Sequence, residues 1–521
     1  MGKYVIGIDA GTMGVRCVIF DLNGNEVSSA YFETPTMYPK PGWVEQRAED
    51  VIDLAYKAVA KAITKKNVDA SEIISISFTN QRTTWAPIDK DGNFLHNMFI
   101  WQDQRGAEIF PWAREQLAKH GMTEADLYKR CGHPMGSVQC GSKAFWFRLN
   151  CPDLYEKTYK MITPHAMLAK AFGADDWYDE DSDANWWLVT KCDTFEFDPE
   201  LCDIFGMDID KYPRNMKPGT PIGAVTKEVA DKTGLKVGTP LFVGSGDQQC
   251  GAAGVGNSGT PGLGSVCLGT AGLCIGYSST PVRDPNCKCH VLGHPAGGYT
   301  MEGHASAAAS SFRWLRNAIS QYEMTTAEIS GIDVYDIMSS IASKAPIGAK
   351  GTIFLPWLAG AACPHYNDHA RGSFIGMTLG TTKAELLRAA MEGICFEMRE
   401  MLEALKAGGF SDFKTLRVTG GAARSKLWNQ IQANIYKSVV ETADAPEATA
   451  LGAAMIGAVG AGVFKDLRDA ASHMVHVKDV YEPDEASMKM YDEVYEMFRD
   501  CYDGLAKSGF DTIYNFQNKH A

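Results

Sequence analysis

The chain has 521 residues, is 45% hydrophobic and 22% charged, and carries a net charge of −13. That length exceeds one ordinary core, so two or more domains are expected. The acidic balance argues against a general nucleic-acid or anionic-membrane partner, although local turns can still grip a small phosphorylated ligand.

Fourteen cysteines show no framework spacing. No leader-length apolar stretch precedes the first strand, so free thiols and a cytoplasmic location are expected. Cys287-Lys288-Cys289-His290 has no second ligand cluster to make a metal site. The longest uncharged run, Ala448–Phe464, is short for a membrane span and reads as a tightly packed interior helix.

In chain order, Tyr4–Ile8 and Val15–Phe20 read as strands around the turn Asp9-Ala10-Gly11-Thr12. Asn23-Gly24 then turns the chain into Val27–Tyr31. Val51, Leu54, Ala55, Ala58, Val59, Ala62 and Ile63 repeat at helical spacing. A strand at Ile73–Phe78 and a hairpin through Asp89–Asn93 follow. Residues 105–230 read as helical, aromatic and loop-rich, and the acidic cluster Asp175–Asp183 within them as a solvated loop. A strand at Pro240–Val243 ends in Gly244-Ser245-Gly246-Asp247, and Gly251–Gly264 reads as the domain connection.

The second half repeats the plan. Strands Val266–Leu268 and Leu273–Tyr277 flank Gly269-Thr270-Ala271-Gly272. A helix around Ala305–Ile319, a strand at Thr352–Leu355, a helix Lys383–Leu405 and a strand Thr415–Thr419 follow. That strand ends in Gly420-Gly421 before a helix from Ser425, and an amphipathic helix over about 485–505 forms the tail. Alternating strands and helices predict an α/β fold.

Several segments suit particular chemistry. A strand, a Gly-Thr turn and a returning strand aim backbone N–H groups and a hydroxyl at phosphate oxygens. Asp9 can hold Mg²⁺ beside such phosphates, and Arg16 can add positive charge. The alternative is a turn that needs Gly11 and Gly14 for backbone reasons alone. Asp247, set among glycines at a strand end, suits a general base that takes a proton from an attacking hydroxyl. Gly420–Ser425 would let a flat ring lie against backbone. Gln81-Arg82-Thr83-Thr84-Trp85 and Trp101-Gln102-Asp103-Gln104-Arg105 combine an aromatic face with directional polar groups, a lining for a polyhydroxy ligand.

Taken in order, these motifs resemble those of the FGGY family of carbohydrate kinases over about residues 3–465. Glu302-Gly303, Phe312-Arg313-Trp314-Leu315-Arg316, Leu355-Pro356-Trp357 and Ala450-Leu451-Gly452-Ala453-Ala454 add to the resemblance. It implies two actin-like (ribonuclease H-like) ATPase domains around a central cleft, drawn at 1–253 for sugar and base and 254–521 for nucleotide. It implies ATP and Mg²⁺ as cofactors, a small sugar or polyol as partner, and a homodimer by analogy. By position, Asp247 would be the base, and Asp9 and Asp247 would serve the metal. Gly11, Thr12, Arg16, Gly269, Thr270, Gly421 and Ser425 would meet the nucleotide. Arg82, Thr83, Trp101, Asp103, Asp247 and Gln248 would face the acceptor.

The acceptor segment departs from both glycerol and xylulose kinases. Thr83 stands where glycerol kinases carry Glu, Val138 where their substrate Tyr aligns, Leu273 at their Phe, and Ser425 at their Asn. Gln81-Arg82-Thr83 also differs from the Gln-Met-His of xylulose kinases, although the Trp101–Arg105 and Phe312–Arg316 segments look like theirs. The expectation is an ATP-dependent kinase of a ketose such as xylulose. Erythritol or another polyol and autoinducer-2 remain alternative acceptors, and a sugar-responsive regulator of the same fold is the non-enzyme alternative.

Overall fold

The computed structural model describes residues 2–410 and 412–520, the side chain of Asp183 excepted. Two sheets organise it. In the first, β1 (Tyr4–Ala10), β2 (Gly14–Asp21) and β3 (Glu26–Glu33) form an antiparallel meander. β4 (Ile73–Asn80) lies parallel to β1, and β5 (Pro221–Ala224) and β6 (Pro240–Phe242) complete the order β5-β6-β4-β1-β2-β3. In the second, β7 (Leu263–Leu268), β8 (Gly272–Ser278), β9 (His290–Gly293), β10 (Tyr299–Ala305), β11 (Thr415–Thr419), β12 (Val439–Ala443) and β13 (Val477–Tyr481) take the order β9-β10-β8-β7-β11-β12-β13. Without β9, the two sheets share one pairing pattern: an antiparallel meander, two parallel neighbours and an antiparallel edge. The repeat expected from the twin Gly-Thr turns is therefore a repeat of topology, and the two halves have the actin-like plan.

The first sheet is covered on both faces. The alternation of a strand sends Ile6 and Ile8 to one side of β1, where they meet Ala55, Ala58 and Val59 of the helix Ala48–Lys65. Val5 points the other way, against Ala450, Ala453 and Ala454 of the helix Ala448–Gly460. That helix is sequence from the second half packed on the first half's sheet. A third core of aromatic side chains, with Trp85, Phe99, Phe145, Phe147 and Trp187, fills the loop-rich region after β4.

Some sequence expectations need correction. Ala86–Ile88 pairs with Lys160–Ile162, and the turn at Asp89–Asn93 leads back only to a single bridge at Phe94. Ile353–Leu355 pairs with Ser373–Ile375 outside the main sheet. The helix expected from Ala305 begins at Ala309, because Ala305 still belongs to β10. The acidic cluster is not a solvated loop: Asp175 and Asp176 are exposed, but Asp179 and Glu180 are fully buried. Asp183, its last member, lies outside the described side chains.

Candidate active site

The first hairpin turn sits at the end of β1, with Asp9 directly opposite Arg16 across the β1–β2 register. Asp9 Oδ1 is buried without a hydrogen-bond partner. Burial, and then the negative charge of Asp247, raise its pKa to about 7. Arg16, expected to meet phosphate, is ion-paired to Glu447 and lies over the Tyr31 ring. Thr12 accepts a hydrogen bond from Trp101 Nε1 at 2.8 Å, and its carbonyl accepts one from Gln46 Nε2 at 2.8 Å. Gln81 Nε2 donates in turn to Gln46 Oε1 at 2.7 Å. The residue before Arg82 thus braces the phosphate turn, and the buried Gln46 is a link that no sequence motif announced.

The glycines separate by role. A Cβ on Gly14 would stand 2.3 Å from the Phe32 carbonyl oxygen, so Gly14 is required by the chain itself. A Cβ on Gly11 would meet nothing closer than 3.6 Å, on Gly269 nothing closer than 3.8 Å, and on Gly421 nothing within 4 Å. None of the three has positive φ. Neither packing nor backbone demands glycine there. The free space is what close approach of a ligand to the main chain needs.

Asp247 opens the helix Asp247–Gly254 after the Gly244–Gly246 turn. Its side chain is 26% exposed, and its Oδ1 lies 3.4 Å from Arg82 Nε. Burial raises its pKa; Arg82 and the Gln248 N–H, at 2.7 Å, oppose that rise. Gly246 makes the arrangement possible, since a Cβ there would stand 2.6 Å from the Arg82 side chain. Arg82 Nη1 also bonds Glu302 of β10 at 2.9 Å and Gln249 at 3.2 Å, and the guanidinium lies over Trp186. His133, His290 and His304 gather beside it, all pushed toward the neutral form, first by burial. Behind Asp247, Glu180 accepts the Gly246 N–H at 3.0 Å, and His165 Nε2 accepts the Gly244 N–H at 2.9 Å. Sequence reading missed Glu180 and His165 as supports for this turn.

A cavity of about 870 Å³ runs from Asp247 and Gln248 past Cys267 and Thr419 to Gly421 and Arg424. A second, of about 440 Å³, is lined by Gly269, Thr270, Arg313, Tyr335, Gly421 and Ser425. The two share Gly421 and Arg424, so together they form a trough from the carboxylate to the second half's glycine turn. Ser425 caps the helix Lys426–Tyr436, accepting the Trp428 N–H, and its hydroxyl lies 3.1 Å from that of Ser339.

Two acceptor assignments need correction. Asp103 is fully buried, and its carboxylate is occupied by the Arg105 side chain at 2.7 and 2.8 Å and the Val44 N–H at 2.7 Å. It holds Arg105 and offers no free oxygen. Thr83 is also buried, and what it contributes is its backbone: φ is 56° and its carbonyl accepts from Lys143. Trp101, by contrast, is exposed at the loop tip.

The model of the FGGY family of carbohydrate kinases, N-terminal domain, matches residues 4–254, and that of its C-terminal domain matches residues 264–461. The chain belongs to this family and is a carbohydrate kinase. It is 29% identical to the xylulose kinase of Bacillus subtilis (strain 168), over 96% of this chain and 97% of the relative. It is also 29% identical to the glycerol kinase of Thermococcus gammatolerans, over 94% and 96%. The crystal structure of gluconate kinase from Lactobacillus acidophilus superposes with a TM-score of 0.88 at 24% identity, over 98% and 99%.

Proposed function

We propose that the protein transfers the γ-phosphoryl group of ATP to a hydroxyl of a small uncharged ketose or polyol, of which xylulose is our leading candidate. The observation that carries this reading is the surroundings of Asp247. It is an accessible carboxylate of raised pKa beside Arg82, at one end of a trough that reaches the second Gly-Thr turn, Gly269-Thr270. Asp247 accepts the proton of the acceptor hydroxyl as that oxygen attacks in line. The open backbone at Gly11, Gly269 and Gly421, with the hydroxyls of Thr12 and Thr270, lies along the phosphates and nucleoside; Ser425 stands at the nucleoside end.

Mg²⁺ fits Asp9 and Asp247. Asp9 Oδ1 is buried and unpartnered, and the described residues contain no cluster of three ligating side chains. A cation held by one or two carboxylates, water and nucleotide phosphates is the Mg²⁺ pattern. When bound, it neutralises charge on the phosphates. Arg16 stays with Glu447 and fixes the rim of the same turn.

Charge selects among acceptors. The cation at the acceptor end is Arg82, and it is matched by two carboxylates, Asp247 and Glu302. A carboxylated acceptor such as gluconate would find no net positive charge there, whereas hydroxyls can use every group present. The division at 253/254 places Arg82, Trp101 and Asp247 in the first half and the nucleoside pocket in the second. Fourteen free thiols suit a reducing cytoplasm, and no helix among the described residues is long and apolar enough to cross a membrane.

Replacing Asp247 with Asn keeps the shape and removes the base. Phosphoryl transfer should fall by at least about 10²-fold with nucleotide affinity nearly unchanged. Coupled ADP release across xylulose, glycerol, erythritol, autoinducer-2 and gluconate checks both claims. Near-normal turnover in the variant would remove Asp247 as base, and gluconate as best acceptor would refute the uncharged substrate.

A further inference from the structure

Lys143 is a fully buried lysine that the chemistry above does not use. Its ammonium donates to two main-chain carbonyls, Thr83 at 2.6 Å and Ile100 at 2.9 Å. The first follows Arg82; the second precedes Trp101. Burying an ammonium is costly, and an apolar side chain would fill the same slot at lower cost. Burial indeed pulls the Lys143 pKa down to about 8, against the charges of Cys140 and Asp103. What the lysine adds is two donors at a fixed separation.

One of the two carbonyls is in unusual backbone. Thr83 is β-branched and stands at φ 56°, in the left-handed region that such residues avoid. A conformation of this kind persists when the surroundings hold it. One step behind, Trp85 and Phe99 exchange backbone hydrogen bonds at 3.3 and 2.9 Å and join the two segments at their base. Lys143 carries the link outward to the tips, where Arg82 turns to Asp247 and Trp101 to Thr12.

We propose that Lys143 is a positioning residue for the acceptor, which clamps the Arg82–Thr83 loop to the Ile100–Trp101 loop so that the guanidinium and the indole meet one substrate at a set spacing. The proposal rests on the reading that these two loops face the acceptor. Lys143 touches neither substrate nor nucleotide in this scheme.

The test compares Lys143→Met, which keeps the length and loses both donors, with Lys143→Gln, which keeps two donors on a shorter arm. Both are made in the full chain and assayed with whichever acceptor the wild type uses best. In the Met variant the acceptor KM should rise at least tenfold while the ATP KM stays within twofold, and Gln should recover part of the loss. Amide exchange without substrate should quicken at 81–84 and 99–102 and stay unchanged at 244–250. Unchanged acceptor KM and unchanged exchange would overturn the proposal. So would equal loss of acceptor and ATP affinity with protection falling throughout, which would make Lys143 part of the core and nothing more. If the Met variant does not fold, the Gln variant and its exchange decide. If the wild type turns over no acceptor, the reading of the loops falls, and exchange still judges the clamp.

Discussion

At the scale of single residues, Arg82 has the most consequential environment. Glu302, 2% exposed, bonds it from the opposite half and also raises the pKa of Asp247 through its negative charge. Glu302→Gln keeps the shape and removes one charge, with two expected effects. Arg82 then faces the single carboxylate of Asp247 and the net negative charge of the cluster is removed, so turnover of gluconate relative to a neutral acceptor should improve on the order of tenfold, about 1.4 kcal/mol. With one negative neighbour gone, the pKa of Asp247 drops, so the acidic limb of the rate profile should move to lower pH. Parallel kinetics on the two acceptor types across pH measure both, and an unchanged acceptor ratio would show that the Arg82 charge does not select. Much at this scale was legible in sequence. Asp9, Asp247 and the open glycines lie at strand ends, where local pattern marks the position. Asp103 was misread because its partner, Arg105, is only two residues away in a buried loop. Spacing cannot tell a carboxylate that faces a ligand from one that anchors an arginine.

At the scale of elements, the Gly244–Asp247 turn is held by side chains from distant parts of the chain. His165 Nε2 accepts the Gly244 N–H, which requires the neutral ring, and Glu180 holds the Gly246 N–H. Burial lowers the His165 pKa from 6.5 to about 4. Between these values the unfolded chain binds the proton and the folded one does not, so this group's contribution is full above pH 6.5 and is lost as pH falls toward 4. Partly buried carboxylates such as Asp181, raised to about 7, act in the opposite sense, so the effect is read as a difference between variants. Wild type should exceed His165→Phe by about 1–3 kcal/mol at pH 7, the cost of an unmet buried N–H. About 2 kcal/mol of that gap should disappear by pH 5, at about 1.4 kcal/mol per unit. Chemical denaturation at the two pH values tests this, and a gap independent of pH would rule out the neutral His165 acceptor. Strands, helices and the Gly-Thr hairpins were readable from periodicity and turn residues. Glu180 and His165 were not: a buried Glu in an acidic run carries the same local pattern as a solvated one, and only the tertiary fold brings it to the turn.

At the scale of the whole molecule, the two halves meet where the helices Asp247–Gly254 and Ala448–Gly460 cross. There the main chains touch without intervening side chains. A Cβ on Gly452 would stand 1.9 Å from the Cys250 carbonyl oxygen, one on Gly254 1.9 Å from that of Ala448, and one on Gly7 2.0 Å from that of Ala450. Gly452→Val should therefore destabilise the protein by about 3 kcal/mol or more and, because Asp247 begins one of the crossing helices, lower kcat as well. Melting and turnover of this variant, beside Gly421→Ala as a position with open space, check the claim; equal melting temperatures would refute it. The repeated topology of the halves was visible in the twin turns. The return of Ala448–Gly460 onto the first sheet was not, because a small-residue helix shows in sequence that it packs closely but not against what.

The open glycines of the phosphate side also bear on how such a protein can diverge. On the proposed reading its hold on nucleotide rests on main-chain atoms, which every sequence supplies and few mutations erase. On the same proposed reading its hold on the acceptor rests on side chains, Arg82 and Trp101 in loops and Glu302 on β10, each replaceable by a single codon change. A lineage built this way can exchange one sugar for another while the phosphoryl chemistry stays intact, and descendants equally distant in sequence will differ first in what they phosphorylate.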